Sequence, residues 1–102
     1  MVPVIDNIDE GTRAIYISVP GENVVLLQAL VESYEGVAIV RTLNIRKSLV
    51  CLLTTPSMLE DTLKVLESLQ PLLGWRFIER PVEAEQELYL GYFKKNREKK
   101  TC

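Results

Sequence analysis

The sequence predicts a single α+β domain with an antiparallel sheet and two helices packed on one of its faces. Four strand-like runs and two helix-like runs alternate in the order strand, helix, strand, strand, helix, strand. Turn-forming residues separate several of these runs, at Pro20-Gly21, Gly36 and Gly74. The third strand-like run is apolar at every interior position, which is typical of a central strand covered on both faces. This order favours the split βαβ sandwich, the ferredoxin-like βαββαβ fold with four strands.

Composition indicates a globular protein. The chain has 102 residues, of which 47% are hydrophobic and 25% charged, and this fits one domain. No apolar run reaches the roughly 20 residues that a membrane span requires. The net charge of −2 gives no global attraction to nucleic acid or anionic lipid. Residues 1–6 have no basic patch before an apolar stretch, so we expect no secretory signal.

Histidine is absent, which removes the commonest general base and the commonest transition-metal ligand. Of the two cysteines, we expect Cys51 to be buried inside a strand and Cys102 to be a free thiol in the tail. Two cysteines do not make a disulfide framework, so the sequence favours a cytoplasmic location. We predict no catalytic residue, no metal site and no cofactor.

The first strand is predicted over residues 13–19 and the first helix over about residues 22–34. Alternation places Ile15, Ile17 and Val19 on one face of the strand and Ala14, Tyr16 and Ser18 on the other. Helical spacing predicts a buried stripe made of Leu27, Leu30, Val31 and Tyr34.

The second and third strands are predicted over residues 37–43 and 48–54, joined by a polar turn. Thr55-Pro56-Ser57 has the composition of a helix start, and Gly74 that of a helix end. The inward stripe of this second helix is predicted to contain Leu59, Leu63, Leu66 and Leu73. The fourth strand, residues 75–80, is interrupted by charge and is predicted to lie at a sheet edge.

Two terminal segments flank the predicted domain of residues 12–81. Residues 1–11 are acidic and are interpreted as a flexible lead-in. Residues 82–102 form a C-terminal appendage with acidic residues first and a basic tail last, which favours an extra helix by complementing its dipole. The alternative is an extra strand over residues 88–93, where aromatic residues are frequent.

The sheet face without helices needs a cover. There are two alternatives for this face. Either it carries Tyr16, Ala38 and Val40 together with Val50 and Leu52, or the strand register is the reverse. In both cases apolar side chains would meet water. The cover is predicted to be the C-terminal segment or a second subunit, joined sheet to sheet or edge to edge; a docked ligand or peptide is the remaining alternative.

A candidate ligand site lies in the turn from the first strand into the first helix. The turn is Val19-Pro20-Gly21-Glu22-Asn23, and the amides at a helix N-terminus bind carboxylates. It resembles the corresponding turn of amino-acid-binding regulatory domains of the ACT class. That resemblance implies a small-molecule site at a subunit interface, formed by Pro20, Gly21, Glu22 and Asn23. A tight strand-to-helix turn without a ligand is the simpler interpretation.

Basic residues surround the second hairpin, at Arg41, Arg46 and Lys47. An RNA-binding surface would also need aromatic residues on the central strands, where only Tyr16 is present. A solvated hairpin that protects a sheet edge is therefore favoured, and nucleic acid is not the expected partner. Trp75 is predicted to pack in the core, with a partner contact as the alternative.

The stretch from residue 15 to residue 78 resembles a small uncharacterised bacterial family, a domain of unknown function. The resemblance is carried by Leu30, by Glu32-Ser33-Tyr34-Glu35-Gly36, and by residues 37–43 with the apolar strand after them. It implies a ferredoxin-like or ACT-like fold and no particular chemistry.

The leading functional hypothesis is a non-enzymatic bacterial cytoplasmic module that acts as a homodimer or through a protein partner. A small-molecule sensor that uses the Gly21 turn at a dimer interface is the first alternative. An RNA-binding module that uses Arg41, Arg46 and Lys47 is the second.

Overall fold

A computed structural model describes residues 5–84 of the chain and confirms the α+β class. Strands and helices alternate along most of this range, as the sequence predicts. In chain order the elements are β1 Ile5–Asp9, β2 Thr12–Ser18, α1 Val24–Glu32, β3 Ile39–Asn44, β4 Leu49–Thr54, α2 Leu59–Leu73, β5 Arg76–Phe77 and α3 Val82–Ala84, and a short 3-10 helix at Gly21–Asn23 precedes α1.

The sheet is antiparallel in all of its described pairs and has the order β1-β2-β4-β3. β4 is central, in agreement with its continuous apolarity. β5 pairs with β2 at Ile17 and Ser18, whereas β1 pairs with the first half of β2. These two short strands therefore share one edge of β2, and β3 lies at the opposite end of the sheet. The arrangement is compatible with a ferredoxin-like order to which β1 has been added.

The prediction of a flexible lead-in over residues 1–11 is wrong for its described part. Residues 5–9 form β1 and pair with β2 in the register Ile5↔Ile15. The acidic turn that follows is ordered by local hydrogen bonds, since Gly11 N donates to Asp9 Oδ1 at 2.8 Å. The Arg13 guanidinium also donates to Asp9 O, at 2.7 Å. The pairing satisfies backbone groups of β2 that would otherwise lie at an open edge.

Both long helices pack on the same face of the sheet, because they contribute to one apolar cluster with it. From the sheet the buried members are Ile15, Ile17, Val40, Val50 and Leu52, from the helices Val24, Leu27, Val31, Leu66, Leu69 and Leu73, and from connecting segments Val19 and Trp75. The predicted grouping of Ile15, Ile17 and Val19 on one face is therefore confirmed. So are Leu27, Val31, Leu66 and Leu73 as buried positions, whereas Leu30, Leu59 and Leu63 are only partly buried.

The end of α2 agrees with the prediction, whereas its start and the end of α1 differ for local reasons. α2 continues through Pro71 and ends at Gly74, whose φ of +69° is the left-handed conformation expected of a C-terminal glycine. At its start, Thr55 Oγ1 accepts a hydrogen bond from Met58 N at 3.2 Å, so a turn precedes the helix. α1 ends at Glu32, before the predicted limit, and this leaves Tyr34 outside the buried stripe and 46% exposed.

The fourth predicted strand is much shorter than expected. Only Arg76–Phe77 pairs with β2, while residues 75–80 were predicted. Ile78 still donates its N–H to Tyr16 O at 3.0 Å, after which the chain leaves the sheet edge. Its further course decides how the helix-free face is covered.

Candidate functional site

β3 is an edge strand that pairs with β4 on one side and, among the described residues, with no strand on the other. Its outward backbone groups are a template for another strand. Large apolar side chains surround it, since Ile39 is 61%, Ile45 65% and Tyr34 46% exposed. Arg41 and Thr42, within the strand, are exposed as well. We call the surface formed by Tyr34, Ile39, Arg41, Thr42 and Ile45 the β3 edge.

The strand register assigns the side chains of β3 to the two sides of the sheet. Ile39 pairs with Leu53 and Arg41 with Cys51, and these residues lie on the helix-free face. Val40 pairs with Leu52 and lies on the helix side. The apolar Ile39 therefore extends the helix-free face outward to the edge of the sheet.

Charge changes sign along this part of the chain. The exposed Glu32 and Glu35 precede β3, and the exposed Arg46 and Lys47 follow it. Lys47 Nζ lies 3.4 Å from Glu83 Oε2. For the other three, no ion-pair partner is found within residues 5–84. The β3 edge is thus acidic at its beginning and basic at its end.

The helix-free face carries a second cluster whose buried members are Ala14, Tyr16, Cys51 and Ala84. Ala38, Val40, Val50 and Leu52 belong to the helix side, whereas Tyr16 lies on this face. The predicted grouping of Tyr16 with Ala38 and Val40 is therefore wrong. Tyr16 and Cys51 are fully buried although neither of the two long helices of residues 5–84 lies over them. Ile78 and Ala84 pack against this cluster, and we call residues 78–84 the strap.

At the start of the strap, Arg80 and a buried phenol both meet one carboxylate. Tyr16 donates its hydroxyl proton to Asp6 Oδ2 at 2.6 Å, a length typical of a hydrogen bond to a charged acceptor. Arg80 Nη1 lies 3.8 Å from the same oxygen. Asp6 therefore links β1, β2 and the strap through a hydrogen bond and an ion pair.

The other end of the strap is anchored at the β3–β4 hairpin through Glu83. Glu83 Oε2 accepts a hydrogen bond from Asn44 Nδ2 at 2.8 Å and faces the ammonium group of Lys47. Hydrogen bonds from its own backbone amide and from Asn44 lower the pKa of Glu83, and Lys47 acts in the same direction. The carboxylate form is therefore favoured at this contact.

Cys51 is not an activated nucleophile. Burial raises the pKa of its thiol from 9.0 to about 12, and the opposing effect of the Arg41 charge is smaller. The thiol is therefore protonated near neutral pH, whereas nucleophilic reactions require the thiolate. Its predicted burial inside a strand is confirmed.

The predicted ligand-binding turn is part of the scaffold at a junction of three segments. Its residues are Pro20, Gly21, Glu22 and Asn23. Asn23 donates its side-chain N–H to Leu73 O at 3.0 Å, which ties the turn to the end of α2. A side chain at Gly21 would bring its Cβ within 3.3 Å of Ser48 Oγ. These contacts explain why Asn and Gly stand here, and ligand binding at the turn stays a prediction.

Trp75 is buried, so the alternative of a partner contact is wrong for this residue. Only 2% of it is exposed, and its Nε1 donates to Leu66 O at 2.7 Å. Its ring meets Phe77 edge to face, with centroids 4.6 Å apart. Arg41, Arg46 and Lys47, by contrast, are exposed and lie on or next to β3.

Within residues 5–84 no group of three or more His, Cys, Asp or Glu side chains is arranged to hold a metal ion. No helix in the same range has the length and apolarity required to cross a lipid bilayer.

A model of the family "Domain of unknown function (DUF4911)" matches residues 17–71, just over half of the chain. The chain belongs to this family. The match begins within β2 and ends within α2, so it includes the whole β3 edge and leaves out β1 and the strap. No curated protein and no solved structure matches the chain significantly.

Several residues of this surface were missed by the sequence analysis. Ile39 and Ile45 were assigned to a strand and a turn without a prediction of their exposure, because exposure depends on which strand is last in the sheet. The acidic composition predicts a lead-in around Asp6, and the charge pattern indicates no role for Glu83 beyond that of an acidic residue at a helix start. The short run of residues 5–9 before the turn residue Gly11 is the one feature of the sequence that could have indicated β1.

Proposed function

We propose that this DUF4911 protein is a non-enzymatic cytoplasmic module that acts by self-association or by binding a protein partner, with the β3 edge as its contact surface. The observation that carries the proposal is the grouping of exposed Tyr34, Ile39 and Ile45 around an edge strand. Single exposed apolar residues are common, but a group beside unpaired backbone is a typical binding surface.

The chemistry of the buried polar groups supports a binding role over catalysis. The Tyr16 hydroxyl is directed at Asp6, and the Cys51 thiol keeps its proton. Both groups are buried in the helix-free cluster, which holds the strap in place. Their interactions account for the fold of this region and provide no activated nucleophile.

The ferredoxin-like assignment of residues 12–77 belongs to the same proposal. In support, β2 and β4 are neighbours in the middle, β3 adjoins β4, and β5 adjoins β2. α1 and α2 share one face. In this interpretation β1 is an addition at the β5 edge, and it leaves the β3 edge as the surface on which a partner can extend the sheet.

Analytical ultracentrifugation of the full chain and of Ile39→Lys tests the proposed function. We expect the wild-type chain to sediment as a dimer or larger species that dissociates on dilution, and Ile39→Lys to remain monomeric. The substitution places a charge on a residue that is already 61% exposed, so the fold should tolerate it. Leu72→Lys, at a 64% exposed position on α2, is the matched control and should associate as the wild type does. A wild-type monomer at the highest soluble concentration contradicts self-association.

RNA binding is the alternative that a specific observation favours, namely the grouping of Arg41, Arg46 and Lys47 on or next to one strand. If it is right, RNA affinity must fall steeply with salt, and Arg46→Ala must reduce the salt slope. A small-molecule sensor at the Gly21 turn requires a thermal-shift response to an amino acid, since ligand binding to the native state raises its melting temperature.

A further inference from the structure

We propose that the partner of the β3 edge is the β3 edge of a second copy of this chain. The two strands run antiparallel about a two-fold axis and join the two sheets into one. This inference rests on the proposed function and makes it specific, because it names the partner, the strand and its orientation. A two-fold contact uses the same patch on both copies, so it requires a surface that is complementary to itself.

Charge supplies this self-complementarity. Glu32 and Glu35 precede β3, whereas Arg46 and Lys47 follow it. Antiparallel pairing brings the acidic end of one copy next to the basic end of the other, and it does so twice. Parallel pairing would place like charges side by side. Complementary charges at the rim of an interface fix its register and orientation.

Side-chain pairing selects one register within the strand. With Thr42 on the two-fold axis, Thr42 lies opposite its own copy, which is a favourable cross-strand pair. Arg41 then lies opposite Leu43 of the second copy and does not directly face its symmetry-related guanidinium. The exposed Ile39 approaches the exposed Ile45 of the second copy, and both lose contact with water.

The opposite edge of the sheet is less suited to the same contact. β1 and β3 each have an irregularity in their pairing with the neighbouring strand, between Asn7 and Asp9 and between Thr42 and Asn44, so charge is what distinguishes the two edges. The charged residues of β1 are Asp6 and Asp9, which would oppose the same residues of a second copy. Because β3 associates and β1 does not, assembly closes at two copies.

Charge reversal in sedimentation experiments on the full chain tests the orientation. Glu35→Lys alone and Arg46→Glu alone should each raise the dimer dissociation constant by roughly tenfold, since each creates like-charge contacts at both ends. An equimolar mixture of the two variants should recover the wild-type affinity, because only the mixed dimer pairs opposite charges at both ends. Glu67→Lys, an exposed charge reversal on α2, is the matched control and should change nothing.

A disulfide at the axis tests the register. Thr42→Cys, prepared with Cys102→Ser, should form a disulfide-linked dimer under mild oxidation, because the two new thiols face each other across the axis. Cys51 is buried and should not compete. Glu67→Cys in the same background is the control and should stay unlinked.

The outcomes separate this inference from the proposed function. If the wild type is a dimer, but the charge reversals leave the dissociation constant unchanged and Thr42→Cys forms no disulfide link, the β3 pairing is overturned while self-association stands. A wild-type chain that is monomeric at the highest soluble concentration overturns both. Weakening by each reversal with recovery in the mixture supports the antiparallel β3 contact.

Discussion

Thr62 lies on the inward side of α2, and its hydroxyl belongs to a buried hydrogen-bond network that joins α2, β4 and the segment before β3. Thr62 Oγ1 is 2.8 Å from Val37 O and 2.9 Å from Thr54 Oγ1. Thr54 Oγ1 in turn lies 2.6 Å from Val37 O. The two hydroxyls thus connect β4 and α2 to the backbone just before β3, and they fix the start of the β3 edge.

Thr62→Val should lower the free energy of unfolding by about 1 to 2 kcal/mol, because the hydroxyl is lost at a fully buried position while its shape is kept. Urea denaturation measures this as a lower midpoint with an unchanged slope. Ser68→Ala removes an exposed hydroxyl on the same helix and should cost less than about 0.5 kcal/mol. Equal stability of Thr62→Val and the wild type would contradict the assigned role.

The buried Cys51 thiol should make the free energy of unfolding depend on pH in the alkaline range. Burial raises the pKa of the folded thiol from 9.0 to about 12, so the folded state holds this proton where the unfolded state releases it. The resulting stabilisation is complete below pH 9.0 and is lost as the pH rises toward 12. Between about pH 8 and about pH 10 the wild type should lose about 1 kcal/mol more than Cys51→Ala. Parallel pH profiles of the two proteins would refute this.

At the scale of elements, the strap takes the place of a helix on one face of the sheet. At one end Ile78 N donates a hydrogen bond to Tyr16 O, and Arg80 forms an ion pair with Asp6. At the other end Glu83 accepts a hydrogen bond from Asn44. Ala84 is its fully buried residue. A few polar contacts at its ends thus determine whether the cluster around Tyr16 stays covered.

Glu83→Gln should loosen the hairpin end of the strap. The neutral amide can still accept a hydrogen bond from Asn44, but the attraction to Lys47 is lost. We expect a few-fold faster hydrogen exchange at the Ala84 amide, which donates to Pro81 O next to Glu83, measured by NMR. The wild type should show the same change at acidic pH, because the lowered pKa of Glu83 makes its stabilising effect disappear as the carboxylate is protonated. Glu79→Gln, at an exposed strap position, is the control; identical exchange in both variants would argue against the Glu83 anchor.

At the scale of the whole molecule, the two edges of the sheet differ in structure. β1 and β5 cover one edge of β2, and the other end of the sheet is β3 with its exposed apolar side chains. This asymmetry is what leads to the proposed dimer, since a sheet with one suitable edge forms a closed pair. The oligomeric state of the Ile39→Lys and charge-reversal variants is therefore the decisive measurement for the molecule.

Much of the fold follows from local patterns in the sequence. Alternation in residues 13–19 placed Ile15 and Ile17 correctly on one face of β2, and Gly74 ended α2 as predicted. The errors arose where pairing overrides local composition. Residues 5–9 look like an acidic terminus but form β1, because an available edge of β2 satisfies their backbone groups.

The candidate site was only partly predictable for the same reason. Arg41, Arg46 and Lys47 were recognised as a group because they are close in sequence, and the structure places them on or next to β3. The contribution of Ile39 could not be recognised from its neighbours, since its exposure results from the position of β3 in the sheet. The predicted appendage can be compared only up to residue 84, and its later residues lie outside the described range.

The sequence alone determined the alternation of strands and helices, the central place of β4 and the burial of Cys51, because hydrophobic periodicity is a local property. The tertiary structure decided that β1 and β5 share one edge, that the strap packs against the cluster around Tyr16, and that β3 pairs on one side only among residues 5–84. These features depend on contacts between residues far apart in the chain, and periodicity within one segment carries no information about which segments pair.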